Sequence, residues 1–198
     1  MVTHQLYELL YGPNSLNLRL FLAINHAHVP LLDTLMPLLT RLGDFRVEYF
    51  YLFVLTGIFF WRRTIMPARN LVVFCVASVI SMSAEALLKW FFAIPRPAAA
   101  IGLAQVRVLG ELKLYDSLPS GHAVVAFMAA TVISHGRGWR WRLPLFMLAV
   151  LVAYSRVYMG AHYPLDVLVG ALVGTSCGIL VWKGYEALER GRGRERLP

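Results

Sequence analysis

Asn70–Phe92 reads NLVVFCVASVISMSAEALLKWFF and runs straight into Ala93-Ile94-Pro95-Arg96-Pro97. From Asn70 to Ala84 no residue is charged. At a rise of about 1.5 Å per residue the whole stretch can cross an apolar bilayer core of about 30 Å. Its end breaks the pattern: Glu85 and Lys89 lie one turn apart, and two prolines then flank Arg96. Ionisable side chains are costly inside a bilayer, so a cluster of them marks the level where the helix meets water. One stretch therefore predicts both a membrane helix and a charged site at its end.

The rest of the chain agrees with a membrane location. Of 198 residues, 58% are hydrophobic, 13% aromatic and only 15% charged, a balance typical of membrane proteins. Further spans are predicted over Glu48–Trp61, Leu143–Gly160 and Leu165–Trp182. A fifth covers Ser120–Ser134, reaching about Arg137 if Ser117–Pro119 open it. The expected fold is an all-α integral membrane protein, a bundle of five to six transmembrane helices with an amphipathic N-terminal region. Three zones are expected: 1–45 interfacial, 46–185 transmembrane and catalytic, and 186–198 a basic, fraying cytoplasmic tail.

The net charge of +8 is read as a topology signal. Arg62, Arg63 and Arg69 follow the first span, Arg137, Arg140 and Arg142 the third, and Lys183, Arg190, Arg192, Arg194 and Arg196 the fifth. All fall on one face, which the positive-inside rule makes cytoplasmic. The charged ends of the other face then lie outside the cytoplasm. Basic residues interleaved with stacking aromatics are absent, so nucleic acid is not an expected partner.

Leu16–Ile24 is interrupted by Arg19, and Val29–Leu42 by Asp33 and Arg41. Both are expected to form an amphipathic helix or helical hairpin at the outer interface. No basic start, apolar core and cleavage site occur in the order of a removable signal peptide. Cys75 and Cys177 both fall in spans, and neither is expected to bind metal or form a disulfide.

Three strings at the outer ends of the spans carry the chemistry. In the first, Lys89 supplies a compact charge, and Arg96, stiffened by Pro95 and Pro97, a planar fork that fits two phosphate oxygens. Lipid-facing snorkelling is the plain alternative. Glu85 either positions Lys89 or neutralises it.

The second string is Pro119-Ser120-Gly121-His122. Proline in a first helical turn, with Asp116 or Ser117 as cap, would direct the amides of Ser120, Gly121 and His122 outward as an anion seat. His122 has the reference pKa of a proton donor at neutral pH.

The third string contains Ser155 and Arg156, then His162 after five intervening residues, then Asp166 four further on. Asp166 either stabilises the start of its helix or orients His162 as an unprotonated nucleophile. Three cations, two histidines and a carboxylate on one face suit a phosphate ester. A serine nucleophile at Ser120 fits that charge less well. A metal site recruiting His26 and His28 lacks a clear ligand set, so no metal or other cofactor is expected.

The order Lys-x6-Arg-Pro, Pro-Ser-Gly-His and Ser-Arg-x5-His-x3-Asp resembles the three-part signature of the type 2 phosphatidic acid phosphatase (PAP2) superfamily over roughly residues 70–185. That resemblance implies that His162 attacks phosphorus and forms a phosphohistidine, which water hydrolyses. It also implies that Asp166 orients His162 and that His122 protonates the leaving alcohol. Lys89, Arg96, Arg156, Ser120 and Gly121 would hold the phosphate without metal.

The expected substrate is a membrane lipid phosphate or diphosphate of undecaprenyl, phosphatidylglycerol phosphate or phosphatidic acid type. Phosphotransfer to another lipid, lipid A dephosphorylation, and lipid binding or transport without catalysis are the alternatives. Arg107 and Lys113 are candidates for a second phosphate, or solvated charges. The glycines Gly170, Gly174 and Gly178 suit close helix packing, within the chain or across a dimer. Residues 1–45 differ from six-span relatives, whose first membrane helix is clear.

Overall fold

The structure, a computed structural model, describes residues 4–61 and 68–194. Arg62, Arg63 and Arg196 of the topology reading lie outside these residues. The described residues form helices and loops. Three short helices, α1 (His4–Tyr11), α2 (Leu16–Asn25) and α3 (Pro30–Arg41), precede α4 (Phe45–Trp61) and α5 (Ala68–Phe92). A single turn, α6 (Pro97–Ala100), follows, and then α7 (Gly121–Ser134), α8 (Trp139–Tyr158) and α9 (Pro164–Arg194).

Each predicted span is a helix. Two stretches, 68–100 and 164–191, are by themselves long and apolar enough to cross a membrane, with mean hydropathies of 2.2 and 1.9. The fold is that of an all-helical membrane protein. At 14 residues α7 is short, and its position explains why that suffices. Val124, Met128 and Val132 are almost wholly buried, because α5, α8 and α9 all pack around α7. It is the axis of the bundle.

The glycine stripe of α9 faces that axis. A Cβ at Gly170 would lie 2.6 Å from the carbonyl of Ser120, and one at Gly178 would lie 2.9 Å from the Thr131 side chain. Gly174 abuts the backbone of Val124 in the same way. Within this chain the stripe thus brings two helix backbones into contact.

The N-terminal region differs in detail from a loose interfacial hairpin. It forms three helices docked on the end of the bundle that carries the turn between α8 and α9. Ser15 caps α2, its Oγ accepting from Leu18 N at 3.1 Å, while Pro30 opens α3. Tyr11, Leu18 and Phe21 are buried with Val157, Tyr163 and Val167. Leu9, Leu16, Leu31 and Leu38 point outward, which keeps the region amphipathic. At the other end of the chain α9 continues to Arg194, so the stretch from 186 is helical rather than frayed as far as it is described.

Candidate active site

The turn between α8 and α9 carries the third string. Gly160 there has φ +75°, and a Cβ would come within 2.5 Å of the carbonyl of Arg107. Glycine alone fits this conformation without strain. The turn presents His162, which is 1% exposed, above Asp166, which is fully buried.

The imidazole Nδ1 donates to the carbonyl of Ser117 at 2.8 Å. A carbonyl only accepts, so Nδ1 carries the proton and Nε2 keeps its lone pair. Burial, and then the charges of Arg96, Arg156 and Lys89, hold the His162 pKa well below its ordinary value. The ring is therefore neutral at physiological pH.

Asp166 is the hub beneath it. Oδ2 accepts from Ser117 Oγ at 2.6 Å and from Tyr163 N at 2.9 Å, and it lies 3.5 Å from His162 Nδ1. Oδ1 accepts from the Tyr11 hydroxyl at 2.8 Å. The expected direct hydrogen bond from imidazole to carboxylate is thus relayed mainly through Ser117.

The second string forms the seat in a different register from the one expected. Ser120 itself is the N-cap of α7, Gly121 is its first residue, and Pro119 precedes the cap. The Ser120 amide is already used, donating to the carbonyl of Asp166 at 3.0 Å. The helix ladder starts with Val124 N donating to Ser120 O at 3.0 Å. The amides of Gly121 and His122 come before it, where a helix has no acceptors of its own. Ser120 Oγ is buried and has no partner among the described residues.

The cations surround this seat. Arg96 is 6% exposed, and its Nε donates to the carbonyl of Tyr115 at 2.8 Å. Longer contacts run from Nη1 to Ala161 O at 3.3 Å and from Nη2 to Asp116 O at 3.5 Å. It pins the 103–116 loop to the His162 turn. Arg156 Nη1 donates to Thr40 Oγ1 at 2.8 Å, while its Nε is buried without a partner among the described residues. Lys89 pairs with Glu85 at 2.5 Å.

A single cavity of about 530 Å³ is lined by Lys89, Arg96, Gly121, His122, Arg156 and His162. Ser120 and Asp166 stand just behind its wall. Every predicted site residue is therefore in or against one chamber. Two buried donors lacking partners, Arg156 Nε and Ser120 Oγ, suit an acceptor-rich ligand such as phosphate. Among the described residues no group of three His, Cys, Asp or Glu side chains is arranged to hold a metal ion. His26 contacts the carbonyl of Gln105 at 3.0 Å, and His28 contacts Arg107.

The two candidate second-phosphate residues part company. Arg107 makes a two-point ion pair with Asp33, at 2.9 and 2.7 Å, and Tyr158 donates to the same carboxylate at 2.7 Å. It is a clasp between α3 and the loop, with its side chain still partly exposed. Lys113 does line the chamber and pairs with Glu111 at 3.4 Å.

Sequence reasoning missed Tyr11, Thr40 and Asn25, and read Ser117 only as a possible cap of α7. Asn25 is 1% exposed and bonds the carbonyls of Arg107 and Tyr158 at 2.9 Å each. Single polar residues in amphipathic helices carry no motif.

Comparison with known proteins gives the class. The sequence model of the PAP2 superfamily matches residues 70–190. An undecaprenyl-diphosphatase of Sulfolobus acidocaldarius is 35% identical over 161 residues, covering 80% of this chain and 73% of that one. The crystal structure of Aquifex aeolicus LpxE superimposes with a TM-score of 0.75 at 39% identity, over 85% of this chain and 96% of the other. A transmembrane PAP2 type phosphatidylglycerolphosphate phosphatase from Bacillus subtilis gives a TM-score of 0.67 at 25% identity, over 86% and 84%.

The chain belongs to the PAP2 superfamily. It is a membrane enzyme of the lipid phosphatase kind.

Proposed function

We propose that the protein hydrolyses a lipid phosphate or diphosphate on the extracytoplasmic side of the membrane, with His162 as nucleophile. The observation that carries this is the chamber in which a neutral, pre-oriented His162 shares walls with Lys89, Arg96, Arg156 and the first amides of α7. His162 Nε2 attacks phosphorus in line, the ester P–O bond breaks, and the proton of His122 passes to the leaving oxygen. Water then attacks the phosphohistidine, giving up its proton to His122 and releasing phosphate. Lys89, Arg96 and Arg156 offset the charge on the transferring phosphoryl group, the usual dominant contribution in such chemistry.

Charge supports the sidedness. Arg69, Arg137 and Arg190 gather around a second hollow at the far end of the bundle, the pattern the positive-inside rule associates with a cytoplasmic end. The substrate approaches sideways from the bilayer along α5. Met82, Glu85 and Lys89 line the chamber, while Trp90 and Phe91 beside them are exposed. A prenyl diphosphate, a phosphatidylglycerol phosphate and a lipid A phosphate are the candidate head groups, since relatives carry those names.

The deciding experiment is phosphate release from prenyl, glycerol and lipid A phosphates in detergent without metal. Turnover on at least one class, lost in His162→Ala, is expected. Full turnover in His162→Ala would remove the nucleophile assignment. Phosphate recovered on an added acceptor lipid would make the enzyme a phosphotransferase.

A further inference from the structure

The carboxylate of Asp166 is fully buried, and both its oxygens are occupied. Ser117 Oγ and Tyr163 N converge on Oδ2. Among the described residues, the hydrogen bond on Oδ1 comes from Tyr11, which lies 155 positions away in sequence. Tyr11 is on α1, outside the stretch matched by the family model.

We infer that Tyr11 is a positioning residue for the reaction, fixing the plane of the Asp166 carboxylate so that Ser117 and His162 stay aligned above it. The inference rests on the roles proposed for His162 and Asp166. Donors on Oδ2 alone leave the carboxylate free to pivot about that atom. A third donor, on Oδ1, removes the pivot.

The donor is well suited to that task. Tyr11 is 4% exposed. Its ring stacks on Tyr7 at 5.6 Å and meets Tyr163 edge-on at 5.3 Å, so its hydroxyl is aimed by packing. Burial, followed by the neighbouring Asp166 charge, pushes the phenol pKa far above its usual range. The hydroxyl therefore stays protonated and donates. An unpaired oxygen on a buried carboxylate would be costly, so removing this donor should let Asp166 reorient or admit water.

The mutation Tyr11→Phe removes one oxygen and keeps the ring. Its kcat is expected to fall about ten- to a hundredfold, the loss of one hydrogen bond to a charged group, with KM within about twofold. A purely structural residue would act equally in any background. A positioning residue acts through Asp166, so Tyr11→Phe added to Asp166→Ala should cost nothing further. Unchanged kcat in Tyr11→Phe, or the same loss in both backgrounds, would overturn the inference.

Tyr11→His keeps a ring and a donor and is expected to recover part of the loss. Should Tyr11→Phe not fold, Tyr11→His decides: measurable recovery over Asp166→Ala supports the role, and activity no better than Asp166→Ala rejects it. Wild-type turnover in Asp166→Ala or His162→Ala would instead defeat the proposed mechanism. Inactivity of those variants beside a fully active Tyr11→Phe would defeat the role of Tyr11 alone.

Discussion

Ser117 stands between His162 and Asp166. Its carbonyl accepts the hydrogen bond of His162 Nδ1 at 2.8 Å, and its hydroxyl donates to Asp166 Oδ2 at 2.6 Å. The nearest direct approach of imidazole to carboxylate is 3.5 Å. One residue thus fixes the tautomer of the nucleophile through its backbone and ties down the carboxylate through its side chain.

Ser117→Ala separates these two duties. It keeps the carbonyl under His162 and removes one donor from Asp166. The loss of a hydrogen bond to a charged, buried acceptor costs about 1.5–3 kcal/mol. Steady-state kinetics should show kcat down by about ten- to a hundredfold, with KM little changed. A wild-type kcat would show that Asp166 needs no help from this hydroxyl.

The seat at Gly121 has no room for a side chain. A Cβ there would lie 2.6 Å from Glu85 Oε1, so Gly121→Ala must push Glu85 off its pairing with Lys89 and crowd the phosphate. KM is expected to rise about tenfold or more, consistent with weaker phosphate binding. Adding Glu85→Ala should recover part of that rise. Phosphate release assays over a substrate series measure both.

Arg107 and Lys113 should behave differently. Arg107→Ala breaks the clasp with Asp33 and is expected to lower thermal stability while affecting monophosphate and diphosphate substrates alike. Lys113→Ala removes a chamber cation and should raise KM for a diphosphate more than for a monophosphate. Equal effects of the two variants on diphosphate selectivity would contradict this division.

The clasp also sets a pH dependence. Hydrogen bonding from Arg107, and then from Tyr158, holds the Asp33 pKa below its ordinary value. A carboxylate whose pKa is lowered by folding binds its proton more readily in the unfolded chain. Its stabilising contribution is therefore complete above the unfolded pKa and disappears as pH falls through the folded one. Melting temperature should drop on that acid side, and Asp33→Asn, already lacking the charge, should drop less. Parallel curves for the two proteins would rule out Asp33 as a source of the effect.

Much of the fold could be read from the chain. Membrane helices are long-range runs of one property, and the bilayer makes that property obligatory, so each expected span appears as a helix. The residues of the three strings were legible because each sits where an apolar run stops. Their partners were not. Tyr11, Asn25 and Thr40 are isolated polar side chains in amphipathic helices, and each acts on a residue more than 80 positions away. The cap of α7 falls at Ser120, one turn later than expected, and the hydroxyl of Ser117 goes to Asp166 on α9 instead. Arg107 looked free because its counter-charge, Asp33, lies 74 positions away on α3.

The close seam between α7 and α9 decides which wall of the enzyme is a door. Gly170, Gly174 and Gly178 lock the two helix backbones together, so the helices bearing the anion seat and the Asp166 support form one jaw that does not open. The opposite wall is made of Pro37, Thr40 and Arg41 on α3, Met82 and Glu85 on α5, and the loop around Leu109. An ion pair across that wall, Arg107 with Asp33, ties the loop to α3 through side chains. That wall is where we expect a lipid head group to enter and leave, while the glycine seam stays shut.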